Sequence, residues 1–200
     1  MNNQNNKLIL LPVLLVALGL SGCVPLILGG AGAGAEMAAQ ERTPGHTVDD
    51  AGIYLKIKER FASAPTNDLF ANVEIKVVEG RVLLTGNVDK PESQIEAVNL
   101  VWQVSGVKEV INEIQVNDKA GFSNYARDVW ISTQVRTKLL FTKGIRSVNY
   151  SVITVNQAVY LMGIAQNQEE LDRATTVAGT VQYVQKVVSY VRLKDDPRRP

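Results

Sequence analysis

The chain has 200 residues, a formal net charge of +1 and a single cysteine. One thiol excludes an internal disulfide framework, so any folded part must rely on an apolar core. With one histidine beside that one cysteine, the sequence supplies no ligand set for a metal centre and no histidine-assisted nucleophile.

The chain opens with Lys7 and an apolar run over residues 8–20, followed by Leu20-Ser21-Gly22-Cys23. A positive start and a short apolar core describe an export signal, too short to span a bilayer comfortably. Leu, Ser and Gly before Cys resemble the bacterial lipobox, where a small side chain before the thiol admits a signal peptidase and the thiol accepts a diacylglycerol. Residues 1–22 are therefore expected to be a removed signal peptide, with Cys23 the lipid attachment site. Several acyl chains such as palmitate, each contributing about 0.8 kcal/mol per buried CH2, make such anchoring effectively permanent. Val24 stands where an aspartate would retain many lipoproteins on the inner membrane, so the resemblance implies passage to the outer membrane, facing the periplasm.

Residues 23–47 read as the lipidated N-terminus and a flexible tether, since residues 29–34 alternate only Gly and Ala. About 25 such residues have a root-mean-square span near 27 Å. His46 lies in this stretch and reads as a solvated linker residue.

From residue 48 the chain repeats itself. Ile53, Ile57 and Phe61 map onto Ile131, Val135 and Leu139 with a shift of 78 residues, each triplet on one helix face. After a one-residue deletion the shift becomes 77, placing Gly86 on Gly163, Ala97 on Ala174 and Val110 on Val187. In copy one, Asp49 or Asp50 is expected to cap a helix running to about Ala62. Alternating residues around Glu79-Gly80 predict a hairpin. Pro91 suits the first turn of a second helix, whose buried face is expected to hold Ile95, Val98, Val101 and Trp102. Val107, Val110, Ile114 and Val116 belong to a last strand. The predicted class is α+β: two tandem units over 48–118 and 125–194, each helix-strand-strand-helix-strand, with a three-stranded sheet packed against two helices. The tail, residues 195–200, is expected to fray.

The Leu-Thr-Gly strand end at Gly86 and the Val-x-Gly-Val-x-x-Val-x-Asn pattern over residues 104–112 resemble the BON domain, and two such units behind a lipobox resemble the dual-BON outer-membrane lipoproteins. Copy two departs at Tyr183, which stands where the second glycine belongs, so its last turn is expected to adopt a conformation open to a side chain.

Charge divides the copies. Residues 48–118 hold seven Lys or Arg against twelve Asp or Glu, a net −5, and residues 125–194 hold nine against four, a net +5. The basic copy suits an anionic partner. On a helix over 125–140, Trp130 falls about 140° from the middle of the core face, among Arg127, Gln134 and Lys138 with Phe141 beyond. An outward Trp among cations is the composition of a surface resting at lipid-headgroup depth. These five residues form the expected lipid-binding surface, and the resemblance implies the same domain as the anionic-phospholipid site. Trp130 can alternatively pack against copy one, while Trp102 is expected in the core. Glu169, Glu170 and Asp172 are expected at a helix start facing water.

These readings describe a non-enzymatic, lipid-anchored protein without cofactor or metal, with anionic phospholipid membrane as partner and no nucleic acid. By resemblance its role is envelope integrity under stress. The alternative is an adaptor that docks an envelope-assembly or cell-wall protein.

Overall fold

A computed structural model of the chain describes residues 41–65, 68–117 and 122–199, which belong to one compact unit. The expected signal peptide, Cys23 and residues 24–40 of the expected tether lie outside the described residues. Copy one runs α1 (Pro44–Ala62), a short α2 (Asp68–Asn72), β1 (Val73–Val78), β2 (Arg81–Val88), α3 (Pro91–Trp102) and β3 (Glu109–Val116). Copy two runs α4 (Phe122–Phe141), a 3-10 turn (Ser147–Asn149), β4 (Tyr150–Val155), β5 (Ala158–Ala165), α5 (Gln168–Gly179) and β6 (Lys186–Leu193). Each sheet has its hairpin pair antiparallel and its last strand parallel to the central one, in the orders β1-β2-β3 and β4-β5-β6. Val82 pairs with Val110 and Val159 with Val187, so both partners move by the same repeat offset. The α+β architecture read from the sequence is the observed one, with the short α2 and the 3-10 turn added to it.

Ile53, Ile57 and Phe61 are buried in the copy-one core, and Ile131, Val135 and Leu139 in that of copy two. The hairpins turn on two consecutive left-handed residues, Glu79 and Gly80 in one copy and Asn156 and Gln157 in the other. Such a turn matches the strand twist but points its N–H groups out of the ladder. A helix carboxylate receives them. Asp50 accepts from the Glu79 and Gly80 amides at 2.8 and 2.9 Å, and Asp128 accepts from Asn156 and Gln157 at 2.7 and 2.8 Å.

Asp50 is therefore a turn anchor and does not cap α1. That helix starts at Pro44, with the Thr43 side chain accepting from the His46 amide, because Thr before Pro supplies both an N-cap and a first residue that needs no hydrogen bond. His46 consequently lies in a helix, and residues 41–47 belong to the folded body.

The second face of each sheet is buried as well. In β2, Val82 and Leu84 point into the copy-one core, while Leu83 joins Val78, Ile153, Val155, Tyr160 and Met162 in a third core between the copies. The two sheets thus pack back to back, each with its helices outside. Leu83 and Met162 are both 0% exposed, which explains why β2 and β5 are apolar on both faces. Polar links frame this seam. Arg81 donates to the Tyr190 carbonyl at 2.9 Å, Arg192 and Arg81 both reach one oxygen of Glu109, and the Tyr190 hydroxyl donates to Glu113. Burial and the neighbouring Glu113 carboxylate push the Tyr190 phenol well above its ordinary range, keeping it a neutral donor.

Three further expectations are corrected. In α3 the inward stripe is Ser93, Ala97 and Val101, spaced four apart, whereas Ile95 and Trp102 are 61% and 52% exposed. Small residues let the helix approach the sheet closely, and Ile95 lies about 200° around the helix from Ala97. Glu170 does not face water: it is buried and accepts from the Arg146 and Gln166 amides. The tail is docked through Arg199, which pairs with buried Glu79 at 2.8 Å and donates to the Lys194 and Glu41 carbonyls. No helix among the described residues is long and apolar enough to cross a membrane.

Candidate functional site

At 100° per residue, Arg127, Trp130, Gln134, Lys138 and Phe141 share an arc of about 80° on α4. The core triplet turns inward, so this arc faces outward: Trp130 is 41% and Phe141 81% exposed, Arg127 and Lys138 are exposed, and Gln134 is half-buried. The five residues singled out from sequence lie on one side of α4, Arg127, Trp130, Gln134 and Lys138 as a stripe and Phe141 at the end of the helix.

A sixth residue completes it. The Trp130 ring meets Tyr183 edge to face, with centroids 5.8 Å apart at 63°. The Arg127 guanidinium lies 5.7 Å from the centroid of the same Tyr183 ring. An aromatic pair of this geometry contributes about 0.5–1.5 kcal/mol, and an exposed cation over a ring about 0.5–1 kcal/mol. The aromatic partner of Trp130 therefore comes from its own copy, not from copy one. Lys138 donates to the Thr180 hydroxyl at 3.0 Å, tying the stripe to the end of α5. Phe141 stands apart at the C-terminal end of α4.

Tyr183 does not adopt a backbone open to a side chain, contrary to the sequence expectation. Its φ is +70°, and that of Gly106 at the equivalent place in copy one is +94°. The surrounding hydrogen bonds impose this. Val107 donates to Val104 in copy one and Val184 to Val181 in copy two, and Lys108 and Gln185 each donate to a hairpin-turn carbonyl. With both flanks fixed, the linking residue must be left-handed, which costs a side-chain-bearing residue about 1–2 kcal/mol. The sequence signal was the replaced glycine. Its companion is the replacement of Gly52 by Trp130 in the same two copies, so the pair of glycines in copy one has become a pair of aromatics in copy two.

The N-terminal end of the described body is fastened to copy two. The Glu41 amide donates to Asn149 at 3.0 Å, and its carboxylate meets Arg146 at 2.7 Å and Lys194 at 3.2 Å. Burial pushes the Glu41 carboxyl up, but hydrogen bonds from Gln166 and Lys194 and the charges of Lys194 and Arg146 outweigh it and hold the group below its ordinary range.

Between the copies lies a polar cleft of about 700 Å³, lined by Lys58, Glu74, Asp89, Tyr125, Asp128 and Arg136 among others. Burial raises the Glu74 carboxyl, against the charges of Arg136, Lys76 and Lys58. Among the described residues no group of three or more His, Cys, Asp or Glu side chains is arranged to hold a metal ion.

Comparison with known proteins matches this architecture. An uncharacterized protein of Anaplasma centrale is 46% identical over 154 residues, covering 76% of this chain and 99% of that protein. The outer membrane lipoprotein DolP of Haemophilus influenzae is 31% identical over 176 residues, covering 88% and 91%. The osmotically-inducible protein Y of Escherichia coli is 27% identical over 164 residues, covering 81% of each chain. The BON domain profile matches residues 49–118 and 127–195, one match on each structural repeat. The chain belongs to the BON-domain family and carries two BON domains in tandem.

Proposed function

We propose that this protein is a non-enzymatic, envelope-associated lipoprotein anchored through Cys23 to the outer membrane, and that its second BON domain reads anionic phospholipid headgroups in support of envelope integrity. The observation that carries the reading is the exposed Arg127–Tyr183–Trp130 cluster, maintained at the cost of a left-handed tyrosine. Strain of that kind persists where the side chain it presents is used. Indole and phenol rings suit headgroup depth, and each Lys or Arg near an anionic surface adds about 1 kcal/mol. Phe141, exposed at the end of α4, extends the apolar contact, while Lys138 and Arg127 supply charge. Similarity to an outer membrane lipoprotein over most of both chains supports the location.

The fastening of Glu41 fits the same mechanism. Glu41 is held by Asn149, Arg146 and Lys194 of copy two before the chain passes into copy one, so an anchor at Cys23 keeps the domain that carries the lipid site near the membrane. Tethering raises the local concentration of membrane at a weak site.

The test is flotation of the body over residues 41–200 with vesicles made with or without phosphatidylglycerol. Wild type is expected to float only with the anionic vesicles and to be released by salt, and Trp130→Glu, still folded by circular dichroism, is expected to stay behind. If neither protein floats, copy two is not a lipid site, and the adaptor reading, in which the two domains dock an envelope-assembly or cell-wall protein, takes its place.

A further inference from the structure

The two repeats differ in relief at one place. In copy two, Arg127, Trp130 and Tyr183 form a projecting cationic and aromatic knob. The repeat offsets place Asp49, Gly52 and Gly106 at the same three positions in copy one. There the surface is a hollow of about 380 Å³, bordered by Asp49, Gly52, Lys56, Ser105, Gly106 and Lys108. Beyond its chain neighbours and its own helix backbone, Gly52 has no atom within 4 Å of where a side chain would begin, while at Gly106 the Ile53 side chain lies 3.1 Å from that point and floors the hollow. One end of the molecule thus bears a positive projection, and the equivalent end of its other half bears a recess with a carboxylate in place of the guanidinium.

We propose that two molecules of this chain associate head to tail, the Trp130–Tyr183 knob of one seated in the Gly52–Gly106 hollow of the other. Three observations favour a second copy as the occupant. The hollow is large enough for an aromatic side chain and lacks the residues that fill the equivalent place in copy two. Asp49 stands at the repeat position of Arg127, so Arg127 of an incoming molecule meets the Asp49 carboxylate on the rim. The domains that would meet carry −5 and +5, a complementarity that favours this pairing over knob against knob. Lys56 and Lys108 also border the hollow and confine the attraction to the Asp49 side. Because the two surfaces differ, the contact is heterologous and leaves a free knob and a free hollow on an open dimer, to be met by closing a ring or by adding further molecules in a row. The contact is small and belongs to the weak class of interfaces, and confinement to a membrane surface concentrates it. A knob seated in a neighbour is withdrawn from lipid, so association and headgroup binding compete for Trp130. The proposal does not depend on the lipid reading.

The test uses the full chain in native envelopes. Chains carrying Ser105→Cys, on the hollow rim, and Gln182→Cys, beside the knob, are co-expressed with different tags and oxidised, with the parent chain measuring any background from Cys23. The expected result is a disulfide between the two differently tagged chains that neither chain forms with itself. Adding Gly52→Trp to the Ser105→Cys chain fills the hollow and is expected to reduce that link about tenfold or more, while its own vesicle flotation stays at the wild-type level. Arg127→Asp on the knob chain is expected to weaken the link about fivefold, and Asp49→Arg on the hollow chain to restore it. The proposal is overturned by no link above the Cys23 background, by equal linking of each chain with itself, or by a link that survives Gly52→Trp. Failure of the lipid reading would show separately, as unchanged flotation of Trp130→Glu with the link still lost on Gly52→Trp.

Discussion

Gly86 lies so close to Asn72 that a methyl group on its Cα would stand 2.0 Å from the Asn72 carbonyl oxygen, and Gly163 stands in the same relation to Asn149 at 1.9 Å. In each copy the residue just before the first strand lies against the central strand at the end of their antiparallel pairing, Val73 with Gly86 and Tyr150 with Gly163. Both glycines also have positive φ, +128° and +152°. Gly86→Ala and Gly163→Ala are each expected to cost about 3 kcal/mol or more, read as a lower urea midpoint at unchanged slope.

Asp50 is 5% exposed and its two oxygens each accept one hairpin-turn amide. Without it, two N–H groups lose a charged acceptor in a buried site. Asp50→Ala is therefore expected to cost about 2–4 kcal/mol, and Asp128→Ala a similar amount. Since the copies share a core through Leu83 and Met162, either variant is expected to unfold in a single transition. Two separated transitions in urea would show that the seam is too weak to couple the domains.

The helix faces through Ile53 and Ile131 were legible because large apolar residues recur at helical spacing and the repeat states the pattern twice. Gly86 was legible as a repeated residue, but its cause was not, since the Asn72 carbonyl that demands it is brought there only by the pairing of β1 with β2. In α3 the large residues misled: Ser93 and Ala97 are buried because close approach selects for small side chains, a signal that hydrophobic periodicity does not weigh. The apolar runs of β2 and β5 carried the back-to-back packing in plain view, as strands buried on both faces, yet a single sheet with two helices explained only half of them. At the candidate site, the α4 stripe followed from helix geometry. Tyr183 was visible as a missing glycine, while its contact with Trp130, 53 residues earlier, required the fold.

Glu109 joins the copies by holding Arg81 at 2.8 Å and Arg192 at 2.7 Å with one oxygen. Its own side chain is 39% exposed, so water moderates the attraction. Replacing it leaves two guanidinium groups facing each other without an anion between them. Glu109→Gln is expected to cost about 1–2 kcal/mol, read as a lower urea midpoint, and because the Arg81 and Arg192 side chains are only 7% and 14% exposed, raising chloride to 1 M is expected to recover little of the loss.

Burial raises the Glu74 carboxyl above its ordinary value of 4.5. A raised folded value means that the charged form opposes folding, so this position costs stability at neutral pH and the cost disappears as pH falls through the folded value toward the unfolded one. Glu74→Gln removes the charge while keeping the shape. Because Glu74 lies in an open cleft where its side chain still meets water, the gain is small: a rise in Tm of about 1–2 °C at pH 7, vanishing below pH 4.5. An equal gain at both pH values would assign the effect to packing in the cleft rather than to ionisation.

Tyr183 separates stability from the proposed function. Its left-handed backbone favours glycine by about 1 kcal/mol or more, while its contacts with Trp130 and Arg127 contribute a similar amount in the opposite direction. Tyr183→Gly is therefore expected to leave the urea midpoint of the protein nearly unchanged. It removes the ring that orients both the indole and the guanidinium, so binding to phosphatidylglycerol vesicles is expected to fall about fivefold or more. A residue retained only for packing would give the reverse pattern, a lower midpoint with lipid binding intact. The two measurements on one variant thus decide whether the strained turn is maintained for the fold or for the surface it presents.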